Sequence, residues 1–167
     1  PLSTAGGLAV MEAENFTRNQ PGSGNHVGVD WTEFADTTAS AGAAMQIPDQ
    51  GQIMTSYHPD SPALQHDIDI QQTGIHYLWV RKRCATDADN HVYFNIAGST
   101  YLWQVSVSQE WTWQRFWGQI DIASTGLQTL TWKMREDGIQ LDRLVLTTDS
   151  SFQPADYNGG LGPAPTP

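Results

Sequence analysis

The chain of 167 residues carries 18 acidic against 8 basic side chains, a formal net charge of −10, and contains no apolar run long enough to span a bilayer as a helix. That balance repels a nucleic-acid backbone or an anionic membrane surface. The length suffices for one domain with its own core, and a single cysteine, Cys84, excludes an intramolecular disulfide and a Cys-ligated metal cluster.

The first seven residues, Pro1 to Gly7, are small and turn-prone and are expected to be a linker or a remnant of one. The first strand is expected over Leu8–Glu14. It contains Met11-Glu12-Ala13-Glu14, and because strand side chains repeat with period two, Glu12 and Glu14 face the same way. Two carboxylates on one face repel, so either a hard cation such as Ca²⁺ neutralises them or they form a solvated acidic pair. Thr17 to Ser40 is polar and Gly-rich without sustained alternation, which suggests a long loop or pair of loops able to wall a binding surface.

Strands are then expected at Ala43–Ile47, Gln52–Tyr57, Leu64–Ile70, Ile75–Lys82, His91–Ile96, Trp113–Ile122, Leu127–Met134 and Leu141–Thr147, with a further one at Thr100–Val105. Turn residues tolerant of positive φ separate several of them, as in Asp49-Gln50-Gly51, Thr73-Gly74, Thr125-Gly126 and Asp137-Gly138. Nine to ten short antiparallel strands at this spacing imply an all-β sandwich, spanning residues 8–154. Residues 155–167 are rich in Gly and Pro and are expected to be a linker, so the chain reads as one module of a larger protein.

The chemistry-bearing residues lie in three places. Arg81-Lys82-Arg83 is a basic cluster that could meet a uronic-acid carboxylate through bidentate Arg hydrogen bonds, but alternation sets Lys82 opposite its neighbours, and ordinary pairing with the acidic surface is the preferred reading. Trp103, Trp111 and Trp113 flank the polar Ser106–Glu110 turn, where exposed aromatics suit stacking on the apolar faces of sugar rings. Trp132, alternating with Leu130 and Met134, follows a core pattern instead. Asp142 sits within an otherwise apolar strand and needs a partner; Arg143, its neighbour, faces the other way.

Taken in order, Glu12-Ala13-Glu14-Asn15-Phe16, Tyr77-Leu78-Trp79-Val80-Arg81, Trp111-Thr112-Trp113, Gly126 with Leu127-Gln128-Thr129-Leu130, and Arg135-Glu136-Asp137-Gly138 before Leu141-Asp142-Arg143-Leu144 resemble carbohydrate-binding modules of the family 6 and family 35 kind. The resemblance covers residues 8 to 154. It implies a β-jelly-roll in which Glu12, Glu14 and Asp142 hold a structural calcium together with a backbone carbonyl, for which Ser40 is the nearest candidate. It also implies a glycan site among the loops at one end, with Trp111 as stacking aromatic and Gln140 as amide, where family 6 usually has Asn. Trp31 and Phe34 are the candidates for a second stacking residue, and Glu136 and Asp137 are placed either to contact hydroxyls or to form the turn.

The function so implied is a non-catalytic module that targets a secreted polysaccharide-active protein, a glycoside hydrolase or polysaccharide lyase, to its glycan. Two alternatives remain open. A small β-sandwich glycosidase or lyase would draw on Asp67/Asp69, Asp87/Asp89, Asp121 or Glu136/Asp137. A protein-adhesion sandwich would use the exposed aromatics as anchors.

Overall fold

The computed structural model describes residues 2–167. In chain order its strands are β1 (Leu2–Ser3), β2 (Leu8–Glu12), β3 (Arg18–Gln20), β4 (Thr32–Ala35), β5 (Ala43–Gln46), β6 (Ala63–Ile70), β7 (Gly74–Cys84), β8 (His91–Ile96), β9 (Ser99–Gln104), β10 (Ser108–Arg115), β11 (Ile120–Ile122), β12 (Gly126–Met134) and β13 (Gln140–Thr147). One sheet runs β1-β6-β12-β8-β9, with β3 also on β6; the other runs β10-β7-β13-β5-β4, with β11 on β7 and β2 on β13. Apart from the short parallel pair β1–β6, neighbours are antiparallel. The expected all-β sandwich is what the chain forms.

Alternation fills the space between the sheets. On β6, Leu64, His66, Ile68 and Ile70 point inward and are buried, while Gln65, Asp67 and Asp69 between them are partly exposed. Phe94 on β8 lies at the centre of an aromatic cluster, with ring centroids 4.9 Å from Phe116, 5.5 Å from Trp132 and 6.3 Å from Trp103. Each such side chain taken out of water stabilises the fold by about 1.5–3 kcal/mol, and favourable ring pairs add about 0.5–1.5 kcal/mol.

Four segments depart from expectation. The first strand, expected over Leu8–Glu14, ends at Glu12, so Glu14 lies in the turn that follows and not on the strand. The Thr17–Ser40 stretch contains β3 and β4, short strands that dock on β6 and β5, with the helical turn Gly24–His26 between them. Gln52–Tyr57 forms no strand: Met54 is buried while Ile53 is 57% exposed, so the segment has too little apolar surface to pack, and it makes one bridge, Ile53 to Glu136. The Trp113–Ile122 run divides into β10 and β11, both on β7, and between them Gly118 passes so close to the Phe116 ring that a Cβ there would stand 2.6 Å from it.

Beyond β13 the chain turns back over the outer face of the second sheet. Arg143 Nη1 donates to the carbonyls of Leu161, Gly162 and Pro163 at 3.0, 3.3 and 3.0 Å, and Trp113 Nε1 donates to Gly160 O at 2.9 Å. Thr166 and Val10 bond each other through Thr166 N to Val10 O, 2.9 Å, and Val10 N to Thr166 Oγ1, 2.8 Å. Gly162, at φ +91°, has no room for a Cβ, which would meet Trp113 Cζ2 at 2.5 Å. The expected linker residues therefore lie against the sheet in this structure.

Candidate functional site

The first and last main strands meet. β2 is antiparallel to β13 with Glu12 opposite Arg143, and Ala13 N donates to Asp142 O at 2.7 Å. Glu12 and Asp142 are both buried, so each needs a charge partner. Arg143 Nε donates to Glu12 Oε1 at 2.8 Å, with Nη2 joining it; Arg81 Nη1 donates to Asp142 Oδ2. The inner oxygens of these acids, Glu12 Oε2 and Asp142 Oδ1, each lie 2.7 Å from Ser40 Oγ, and Ser40 N donates to Asp142 Oδ1 at 2.9 Å. One hydroxyl proton cannot serve both carboxylates.

Glu14 completes the cluster. Its Oε2 is buried and has no hydrogen-bond partner. Burial pushes its carboxyl up to about 7, and the negative charges of Glu12, Asp142 and Glu33 add to the shift against an opposing backbone hydrogen bond. The inner face thus offers carboxylate and hydroxyl oxygens, a donor set that suits a hard cation of the calcium class. Ser40 turns its amide and hydroxyl to the cluster, not the carbonyl expected of it.

A second acidic group lies elsewhere: Asp49, Asp89 and Asp137 bring carboxylate oxygens within 4.8 Å of one another, tighter than the Glu12, Glu14 and Asp142 set. Local bonds explain two of these acids. Asp137 Oδ2 accepts from Gln50 N and Gln52 N at 2.7 and 2.8 Å, and Asp89 Oδ2 accepts from Thr86 Oγ1 at 2.7 Å. They pin the loops on either side of Gly138, whose φ of +87° makes the turn into β13.

At that end of the sandwich a cavity of about 400 Å³ is lined by Arg83, Ala85, Gln109, Gly138 and Gln140. Register slips between Ser108 and Thr112 in the β10–β7 ladder, and this bulge carries Gln109 and Trp111 out of regular pairing. Arg83 organises the wall. Its Nε donates to Gln140 Oε1 at 2.6 Å, its Nη2 pairs with Asp36 Oδ2 at 2.9 Å, and its guanidinium lies 4.6 Å from the Trp111 ring centroid and 6.0 Å from that of Phe34. Gln140 Nε2 in turn donates to Gln46 Oε1 at 2.8 Å, and Trp111 Nε1 to Thr38 Oγ1 at 3.1 Å.

Of the residues expected to hold glycan, Trp111, Phe34 and Gln140 gather here around Arg83, which the residue pattern had assigned to surface pairing. The other aromatics need correction, and of the two roles open to Glu136 and Asp137 the structure favours the turn. Trp31 and Trp103 are 2% and 1% exposed, both core side chains with no face to offer a sugar. For Trp103 the signal was present, since Tyr101, Trp103 and Val105 alternate as a core-facing strand does. Trp113 lies beneath the C-terminal segment. Glu136 is buried, its Oε2 taking His91 N at 2.8 Å and lying 3.1 Å from His91 Nδ1, and Asp137 is committed to its turn. The arginine partners Arg81 and Arg143 went unforeseen, because finding them requires the register across β2, β7 and β13.

No family model matches the chain. Protein P23 of Formosa agariphila, itself uncharacterised, is 26% identical over 110 residues, which cover 56% of this chain and 27% of that protein. Among solved structures the fold is similar to a family 35 carbohydrate-binding module from Clostridium thermocellum, at 16% identity and a TM-score of 0.60, covering 83% of this chain and 98% of that one. A second is a module of Cellvibrio mixtus lichenase 5A in complex with cellotriose, at 15% identity and TM-score 0.58, covering 84% and 97%. A third is the exo-β-1,3-galactanase of Phanerochaete chrysosporium, at 14% identity and TM-score 0.58, with 83% of this chain matching 29% of the enzyme. The chain thus spans under a third of P23 and of the galactanase, and the likeness to family 35 and family 6 modules read from its residues is matched at the level of the fold.

Proposed function

We propose that this chain is a non-catalytic carbohydrate-binding module that holds a glycan at the loop-end cavity and carries a structural calcium at Glu12, Glu14 and Asp142. In this reading it belongs to a secreted polysaccharide-active protein and directs that protein to its substrate. One observation carries the proposal: a guanidinium and two carboxamides line one cavity, with the Trp111 ring stacked beside that guanidinium, at the loop end of a fold shared with modules of this kind. Amides and guanidinium match sugar hydroxyls while an indole face matches the apolar C–H face of a pyranose.

Several acids that the glycosidase alternative would draw on are engaged elsewhere. Asp67 pairs with Arg18 through two bonds of 2.8 and 2.9 Å, and Asp89, Glu136 and Asp137 hold turns. The test is a glycan array followed by affinity electrophoresis of Trp111→Ala. Retention is expected to vanish, a loss of about 2 kcal/mol or more for an anchoring aromatic, while the melting temperature stays nearly unchanged. Turnover of a polysaccharide by the isolated domain, abolished by replacing one carboxylate pair, would overturn the reading.

A further inference from the structure

We propose that Asp36 sets the charge of the glycan this cavity accepts: by neutralising Arg83 it makes the cavity a reader of uncharged sugars and disfavours uronates. The inference rests on the glycan site proposed above and adds a specificity determinant to it.

Among the residues lining the cavity Arg83 is the one cation, the rest being carboxamide, alanine or glycine. Left alone, a guanidinium in a half-enclosed wall is a strong receptor for a carboxylate, because it can donate two parallel N–H bonds. Here that capacity is reduced, and its charge is balanced, by partners within the chain. Nε is occupied by Gln140, Nη2 by Asp36, and the guanidinium plane lies near the rings of Trp111 and Phe34. Asp36 is itself held in place for the task, its Oδ1 accepting from Thr38 N at 2.8 Å and Thr38 Oγ1 at 2.5 Å, which leaves Oδ2 for Arg83. Those Thr38 bonds, with Arg83 adding, keep the Asp36 carboxyl below the usual carboxylate range, so it stays ionised under ordinary conditions.

The acidic group lies behind the lining at Gly138, where an added Cβ would stand 2.8 Å from Asp89 Cγ, and Asp89, Asp137 and Asp49 add negative charge near this part of the cavity. An incoming uronate would meet an Arg83 whose charge Asp36 already balances and would bring its own carboxylate close to that of Asp36, and like charges brought together across an interface are strongly disfavoured. A neutral hydroxyl meets no such opposition. It can accept from the remaining guanidinium N–H groups and exchange hydrogen bonds in both directions with Gln109 and Gln140.

The test is an array of matched oligosaccharides of gluco, galacto and manno configuration, each with its C6 as hydroxymethyl or as carboxylate, together with xylo-oligosaccharides with and without a glucuronic acid branch. The wild-type chain is expected to retain the neutral member of a pair at least about tenfold more tightly. In Asp36→Asn the ratio should fall by about tenfold or reverse, at low salt above all, with the melting temperature close to wild type. A wild-type preference for the uronate overturns the proposal. So does an unchanged ratio in Asp36→Asn when Trp111→Ala abolishes retention of both members, an outcome that leaves the glycan site standing. If the wild type retains no member of any pair, the glycan site falls and this inference with it.

Discussion

The carboxylate cluster and the loop-end cavity flank the same turn, residues 36–40, and balance their charge in different ways. In the cluster three acids, Glu12, Glu14 and Asp142, meet two arginines, Arg81 and Arg143, in a largely buried site, and one carboxylate oxygen of Glu14 is left without a partner. In the cavity one arginine meets one acid, Arg83 with Asp36, at the surface, with side chains 25% and 14% exposed. The first arrangement has negative charge to spare and favours a cation; the second is balanced and favours a neutral ligand. Thr38 connects them. Its carbonyl accepts from Arg81, and its hydroxyl bonds both Trp111 Nε1 and Asp36.

Asp142→Ala breaks the comparison hardest. It leaves Arg81 buried without its carboxylate, and removing one partner of a buried pair costs about 3–5 kcal/mol. At about 2–4 °C per kcal/mol for a chain of this size, the melting temperature should fall by about 6–20 °C. Arg81 also orients Thr38, so glycan affinity should weaken in the same variant, read by calorimetry below its melting point. Stability lost with glycan affinity intact would mean that the turn does not couple the two regions.

Chelation comes next. A ligand that binds the native state alone adds about 2.7 kcal/mol at a hundredfold excess over its Kd. EDTA should therefore lower the melting temperature by several degrees, and calcium should restore it. Indifference to EDTA, together with a purified protein free of metal by elemental measurement, would show that the arginines and Ser40 suffice to hold the cluster.

How much of each region could be read from the residues follows from the kind of order each depends on. The sandwich was legible because alternation such as Leu64-Gln65-His66-Asp67-Ile68 reports burial without any knowledge of partners. Glu12, Glu14 and Asp142 were only locally anomalous, an acidic pair and one acid in an apolar strand; the resemblance joined them into one site, and Glu14 in fact lies in the turn just after β2. The roles of Arg81, Arg83 and Arg143 were not legible. They depend on which strands lie side by side and on the register slip between Leu141 and Arg143 in the β13–β7 ladder, which no local pattern carries. Lys82 shows the boundary well: alternation placed it opposite its neighbours, and it is indeed buried, but its bonds to Ser106 across the β9–β10 turn required the fold.

The smallest expected effect sharpens the comparison most, because it isolates Glu14. Its carboxyl, ordinarily near 4.5, stands at about 7 in the folded chain. Between those values the cation-free native state keeps a proton that the unfolded chain has released, so stability falls as pH rises from about 4.5 to about 7 and levels above that. His66 acts oppositely. Burial drives its imidazole from 6.5 down to about 4, the unfolded chain binds the extra proton, and stability rises with pH over that window. The two slopes overlap, which makes a single pH–stability curve uninformative. The difference between a curve taken in chelator and one taken in saturating calcium removes most of the His66 contribution. That difference should widen in favour of calcium as pH rises to about 7, since the cation holds Glu14 ionised. In Glu14→Gln it should lose its pH dependence through this window while the His66 slope persists in both curves. A difference that is flat in the wild type as well would separate Glu14 from any bound cation and leave the cluster a purely protein-internal charge network.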